Sequence, residues 1–382
     1  MRWFLCSIIA MLSAFTFAGC GETNDPVSPK RPMQTTICLN IGLLDIPSGT
    51  RTDAYSFEAP ANDYEKVHTL RVIIVRPDGT VEHNRFLSYD TPIERTSQTF
   101  KVIGMEKKKI YLFANELTDS KEWNGYGYYD YSEIKKGEKF PAAEMDSLKL
   151  MSTRMDDNVL FDNTGDSKIW IPINEQYEYE LTSDQPGTPE NPSETFSCFI
   201  TRAAVKFSFE IAQSDGGSEG YEVTEITVNN GGFQEYLLPC NTIYNPGKYI
   251  VSTDPLGGRM IESFSLPLGA VAEGMRYVFH PTGFGVGSVN DISRSSNYSP
   301  AYYFAESKPW GDGYTVKLKV KWDGDSKEQI LGPAKLPNLP SCPRNTHVRI
   351  RFSFKDILEC KVDVLPYTGV YLDPGFGIIP SN

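Results

Sequence analysis

The residue best placed for covalent chemistry is Cys20, which closes the run Phe17-Ala18-Gly19-Cys20. Arg2 supplies a positive start, residues 4–17 are apolar, and the polar run Gly21-Glu22-Thr23-Asn24-Asp25 follows at once. A charged start, an apolar stretch too short for a finished bilayer helix and small residues at the cut describe a secretion signal over 1–19. A cysteine at the junction adds a thiol that can be acylated, the arrangement of a bacterial lipobox. The sequence therefore predicts a chain anchored by lipid at Cys20 and otherwise in water, the competing reading being a plain secretory signal with an incidental cysteine.

A second reactive position is Arg51, which ends Gly49-Thr50-Arg51 in a polar, turn-like stretch that a protease can reach. The competing reading is an ordinary surface arginine. Elsewhere the residues speak against catalysis. His68, His83, His280 and His347 are scattered without the spacing of a metal site or a nucleophile relay. No Cys-x-x-Cys occurs, and the GFGVG run over 283–287 has neither the lysine nor the following helix of a phosphate loop. We expect no enzyme, no cofactor and no metal. A net charge of −12 argues against nucleic acid as a partner, since a basic face is needed to release counterions from phosphates.

The stretch over 123–131 (WNGYGYYDY) offers Trp123, Tyr126, Tyr128 and Tyr129 as rings on which a sugar face could stack. The alternative is that these rings pack onto the protein itself. Once Cys6 leaves with the signal and Cys20 carries lipid, Cys38, Cys198, Cys240, Cys342 and Cys360 remain, an odd set without framework spacing. Mostly free thiols follow.

The elements that must position these residues are strands. Tyr and Phe, 21 each, stand among β-formers and recurrent Gly and Pro, the mix of an all-β chain. Within 35–44, Ile37, Leu39, Ile41 and Leu43 alternate with smaller or polar residues, which predicts a strand with one buried face. Residues 67–75, 100–102 and 110–115 repeat the period, as do 205–211, 316–322 and 348–354. A short amphipathic helix is expected over 142–151, and a strand over 169–173 placed at an edge or bulge by Pro172. Residues 182–195 hold three prolines and no large apolar residue, marking either a domain boundary or a long exposed loop. The expected organisation is a signal over 1–19, a lipidated tether over 20–33, and two antiparallel β-sandwich domains over 34–190 and 191–382. From about 366 an apolar set, Val370, Leu372, Phe376 and Ile378, follows the last hairpin. It finishes its own sheet or is donated to a neighbour.

Taken in order, the lipobox at Cys20, the first strand ending in Thr50-Arg51, Ile110-Tyr111-Leu112-Phe113-Ala114-Asn115, Ile200-Thr201-Arg202-Ala203-Ala204-Val205-Lys206 and Pro343-Arg344-Asn345-Thr346-His347 resemble the fimbrillin superfamily of Bacteroidales pilins. The resemblance spans most of the mature chain. It departs after the final hairpin, where Leu365-Pro366-Tyr367 stands in place of a tryptophan. It implies two transthyretin-like sandwiches and a subunit of an adhesive surface fimbria, exported as an outer-membrane lipoprotein. A trypsin-like maturation protease would cut after Arg51, the strand bearing Ile37, Leu39, Ile41 and Leu43 would leave with the lipid, and another fimbrial subunit would fill its place with its C-terminal segment. A subunit that keeps its lipid would be an anchor or accessory subunit, and the aromatic stretch leaves a surface glycan-binding lipoprotein as the rival reading.

Replacing Cys20 by serine removes the acceptor thiol. The expected result is a chain lost from the membrane fraction, with no acyl mass on its N-terminal peptide by mass spectrometry; lipid retained on the Cys20→Ser chain excludes this site.

Overall fold

The computed structural model describes residues 33–43, 65–116, 129–151, 170–211, 220–231, 234–239, 251–253, 259–261, 275–286, 299, 301–305, 313–324, 326–337, 339, 342, 344–354 and 358–366. The first half contains β1 (Gln34–Leu43), β2 (Val67–Val75), β3 (Val81–Ile93), β4 (Arg95–Ile103), β5 (Lys107–Ala114), β6 (Lys149–Met151), β7 (Ile173–Glu180) and β8 (Glu194–Arg202). The second contains β9 (Val205–Ile211), β10 (Tyr221–Gly231), β11 (Gln234–Tyr236), β12 (Val251–Thr253), β13 (Arg259–Ile261), β14 (Met275–Phe279), β15 (Gly285–Val286), β16 (Tyr302–Phe304), β17 (Thr315–Trp322), β18 (Glu328–Lys335), β19 (Thr346–Phe354) and β20 (Leu358–Pro366). The fold class is all-β, as the alternation predicts, and among the described residues no helix is long and apolar enough to cross a membrane.

In the first half the strands run β3-β2-β5-β7-β8-β1-β4, and the chain of pairings bends where β7 meets β8 only at Ile173↔Arg202 and Asn174↔Thr201. The result is two faces, β3-β2-β5-β7 and β8-β1-β4. They enclose a core in which Leu70, Val72 and Ile74 meet Ile37, Leu39 and Ile41. In the second half, β14-β10-β17-β18 faces β16-β9-β19-β20 across a core holding Phe207, Phe209, Leu318, Val320, Ile350 and Phe352. Burying such alternating stripes against each other is what makes each pair of sheets stable.

Most pairings are antiparallel, but β1 runs parallel to β8, and β9 parallel to β19. Hairpin logic does not foresee this, because the partners lie far apart in sequence. The two halves also repeat one arrangement: β1 sits between β8 and β4, and β9 between β19 and β16.

The runs over 67–75 and 110–114 are apolar on both faces for a reason. Ile73, Val75, Tyr111 and Phe113 point away from the first core into a third cluster, with Tyr131, Phe140 and Met145 above them and Leu237, Leu238 and Tyr303 from the second half. The helix expected over 142–151 is a single short one, α1 (Ala142–Ser147), and residues 149–151 form β6 against β11. Pro172 precedes β7 rather than lying in a strand, and its carbonyl accepts from the Ala203 amide at 2.8 Å. The proline-rich stretch proves to be a loop: β8 beyond it still belongs to the first core, and the chain changes sheet after Arg202 instead of at 190.

At that change of sheet, polar groups are buried together. The Glu65 carboxylate is fully buried, takes the Lys206 ammonium at 2.8 Å and accepts a hydrogen bond from the Tyr303 hydroxyl. Arg202 donates Nε to the Glu65 carbonyl at 2.9 Å and Nη1 to Asn345 Oδ1 at 3.2 Å. Asn345 holds φ 57°, a left-handed backbone that asparagine tolerates better than most residues. Burial, then the Lys206 and Arg349 charges, pull nearby His347 down to about 3, so it is a neutral core residue. Residues of two motifs quoted above, Arg202 and Lys206 from one and Asn345 from the other, thus meet as a structural weld.

Replacing Lys206 by methionine strands the Glu65 carboxylate. Urea titration should show a loss of about 3–5 kcal/mol, with most of it recovered in the double variant Glu65→Leu, Lys206→Met.

Candidate functional site: the slot filled by β1

β1 is an interior strand. It pairs antiparallel with β4, Ile37 opposite Phe100 and Ile41 opposite Thr96, and parallel with β8, Ile37 opposite Glu194 and Ile41 opposite Cys198. Ile37, Leu39, Ile41 and Leu43 are each at most 1% exposed, so the strand expected from the alternation carries its whole apolar stripe into the first core. The residues between them are small or polar. Asn40 accepts from Ser97 Oγ at 2.7 Å and from Cys38 Sγ at 3.6 Å.

The entry of β1 is fixed by the proline-rich loop. Thr35 Oγ1 donates to the Gln185 carbonyl at 2.6 Å, Thr36 Oγ1 donates to the Pro186 carbonyl at 2.8 Å, and the Ser193 amide donates to the Thr36 carbonyl at 2.8 Å. Gly104 stands against this loop so closely that a Cβ would lie 2.5 Å from the Ser183 carbonyl oxygen. Sequence reading missed this role; the adjacent Thr35-Thr36 pair at a strand start was the available signal.

Cys38, Cys198 and Cys342 are free thiols, in line with the expectation for the residues described. Cys198 lies in the core beside β1, and burial pushes its thiol up to about 12. Burial raises Cys38 too. Among the described residues no cluster of ligating side chains fits a metal ion.

Several expected site residues lie outside the described residues: Cys20, Arg51, Trp123, Tyr126, Tyr128, and Val370, Leu372, Phe376 and Ile378. Tyr129 is described, and it packs on its own sheet, its ring 5.4 Å from that of buried Tyr131. The Asn115 side chain, at the end of the Ile110–Asn115 motif, ties three segments together, accepting from the His68 amide and donating to the Lys66 and Ile171 carbonyls, each at 2.8 Å.

Leu39→Ala should lower stability by about 2–5 kcal/mol in denaturant titration, the cost of a cavity that cannot collapse between two sheets. Met33→Ala, one residue before β1 and half exposed, should change it by no more than about 0.5 kcal/mol.

No protein-family profile matches the chain, and no curated protein matches it significantly. Solved structures do. A candidate cell adhesion protein from Parabacteroides distasonis superposes with a TM-score of 0.52 at 12% identity, covering 89% of this chain and 99% of that one. The tip fimbrial protein Mfa3 from Porphyromonas gingivalis gives a TM-score of 0.48 at 11% identity, covering 87% and 99%, and the fimbrilin FimA of the same species gives 0.45 at 11%, covering 88% and 99%. At such identity the likeness is one of fold. The chain shares the all-β fold of that cell adhesion protein.

Proposed function

We propose that the chain is a structural subunit of a cell-surface fimbria, built from two transthyretin-like sandwich domains and held at the outer membrane by lipid at Cys20 until it is processed. β1 is the placeholder in a slot meant for a strand of another subunit. The observation that carries this reading is the position of β1: an interior strand, bonded on both edges, with four apolar side chains in the core. Its departure after a cut at Arg51 exposes two unpaired backbone edges and a strip of core. A strand from a neighbour restores both.

The magnitudes favour a lasting joint. Four large apolar side chains, at about 1.5–3 kcal/mol each, offer roughly 6–12 kcal/mol before ordering costs. The incoming segment must run parallel to β8 and antiparallel to β4, with large apolar residues at alternate positions and small ones between. The stretch carrying Val370, Leu372, Phe376 and Ile378 follows β20 and is the donor within this chain type. A subunit left uncut at Arg51 keeps its lipid and serves as anchor.

The test is limited proteolysis. A trypsin-like protease should remove residues 20–51, Cys198 should then become open to iodoacetamide, and the chains should form SDS-resistant ladders that Arg51→Ala abolishes. Clean cleavage that leaves a monomer with Cys198 still protected overturns the reading.

A further inference from the structure

The sheet β8-β1-β4 has two outer edges, and neither is closed by a neighbouring strand along its length. Beyond Thr201, β8 and β7 share no ladder among the described residues, and none joins β4 to β3. Side chains take the place of strands at both seams. On the β8 side, the Tyr177 hydroxyl accepts from the Phe199 amide and donates to the Phe199 carbonyl, doing with one phenol what a partner residue does in an antiparallel pair. The Tyr179 hydroxyl donates to the Ser197 carbonyl at 2.9 Å, and its ring stacks on Phe196 at 4.2 Å. On the β4 side, His83 Nε2 donates to the Lys101 carbonyl at 2.6 Å and Arg85 Nη1 to the Thr99 carbonyl at 3.1 Å. Glu82 accepts from the Ile103 amide at 2.6 Å and is itself held by the buried Lys108 ammonium.

These bonds bear on the slot because of what happens when β1 is out. The inner edges of β4 and β8 then face each other two strand spacings apart, about 9.5 Å. Both run antiparallel to each other, since β1 is antiparallel to one and parallel to the other. Nothing in their direction prevents them from closing up and pairing, which would satisfy their backbone and destroy the slot. To close, β8 must leave the tyrosines of β7 or β4 must leave Glu82, His83 and Arg85.

We infer that Tyr177 and Tyr179 on one seam, and Glu82, His83 and Arg85 on the other, are positioning residues for strand uptake that hold the emptied slot at the width of one strand. The inference rests on the strand-exchange reading above and adds which residues keep the acceptor competent. Tyrosine and arginine suit the task, since each reaches a backbone group from a strand that has already turned away while its ring or stem stays packed: Arg85 lies 4.2 Å over the Phe100 ring.

The experiment uses the full chain cut after Arg51 and freed of residues 20–51, with a dye-labelled synthetic peptide of residues 34–43 as the probe. The double variant Tyr177→Phe, Tyr179→Phe keeps both rings in the core and removes only the hydroxyls. Peptide uptake should slow by about tenfold or more, the scale set by one or two lost hydrogen bonds. A merely structural role would lower the melting point of the uncut chain and leave the uptake rate of the cut chain alone, so both are measured. Should the tyrosine variant fail to fold, His83→Phe with Arg85→Met opens the opposite seam and is expected to slow uptake likewise. Wild-type uptake rates in these variants overturn the inference by itself. A wild-type cut chain that takes up no peptide overturns strand exchange, and the inference with it.

Discussion

A strand edge inside a folded protein must find partners for its N–H and C=O groups, and the first half of this molecule is arranged around that requirement. The seven strands of its main sheet form a flattened ring in which the β7/β8 ladder stops after two residue pairs and, among the described residues, no ladder joins β3 to β4. Both gaps are bridged by side chains. Within the face β8-β1-β4 this leaves β1 as the strand with a ladder on each edge, and its side chains fill the centre of the core. Leaving the missing ladders to phenols, an imidazole, a guanidinium and a carboxylate costs little when those groups are themselves packed or paired.

The second half repeats the topology with a different outcome. β9 stands between β19 and β16 as β1 stands between β8 and β4, yet β9 follows directly on the weld formed by Arg202, Lys206, Glu65 and Asn345. Glu65, Arg202, Lys206 and Tyr303 are joined by a buried ion pair and its hydrogen bonds, while β1 is held by its two ladders, its core contacts and the threonine contacts at its start.

Much of this was legible in the sequence, and the rest was hidden for definable reasons. The alternations at 37–43, 205–211, 316–322 and 348–354 each became a strand with its apolar stripe in a core. The run over 110–115 is unbroken because its strand is covered on both faces. By contrast, β3 is mostly half-buried, β18 is largely exposed, and both lack a clean stripe, so period counting passes over them. The parallel pairing of β1 with β8 leaves no local trace, because register between distant strands is set by the core they share. Glu65 reads as a surface carboxylate until the fold brings Lys206 and Tyr303 to it, and the tyrosines of β7 read as core rings whose hydroxyls have no visible destination. Buried Arg344, next to Asn345, donates to the Leu237 carbonyl at 3.1 Å.

The double ladder around β1 also fixes how the molecule answers a mechanical load. A pull along the strand axis acts in shear on both ladders at once, so the backbone bonds share the force and must fail together, dragging four side chains out of a packed interior. A pull across the strand, from one end, would open the same bonds one after another at far lower force. Any segment lying in this slot inherits that anisotropy: strong along its length, weak when peeled.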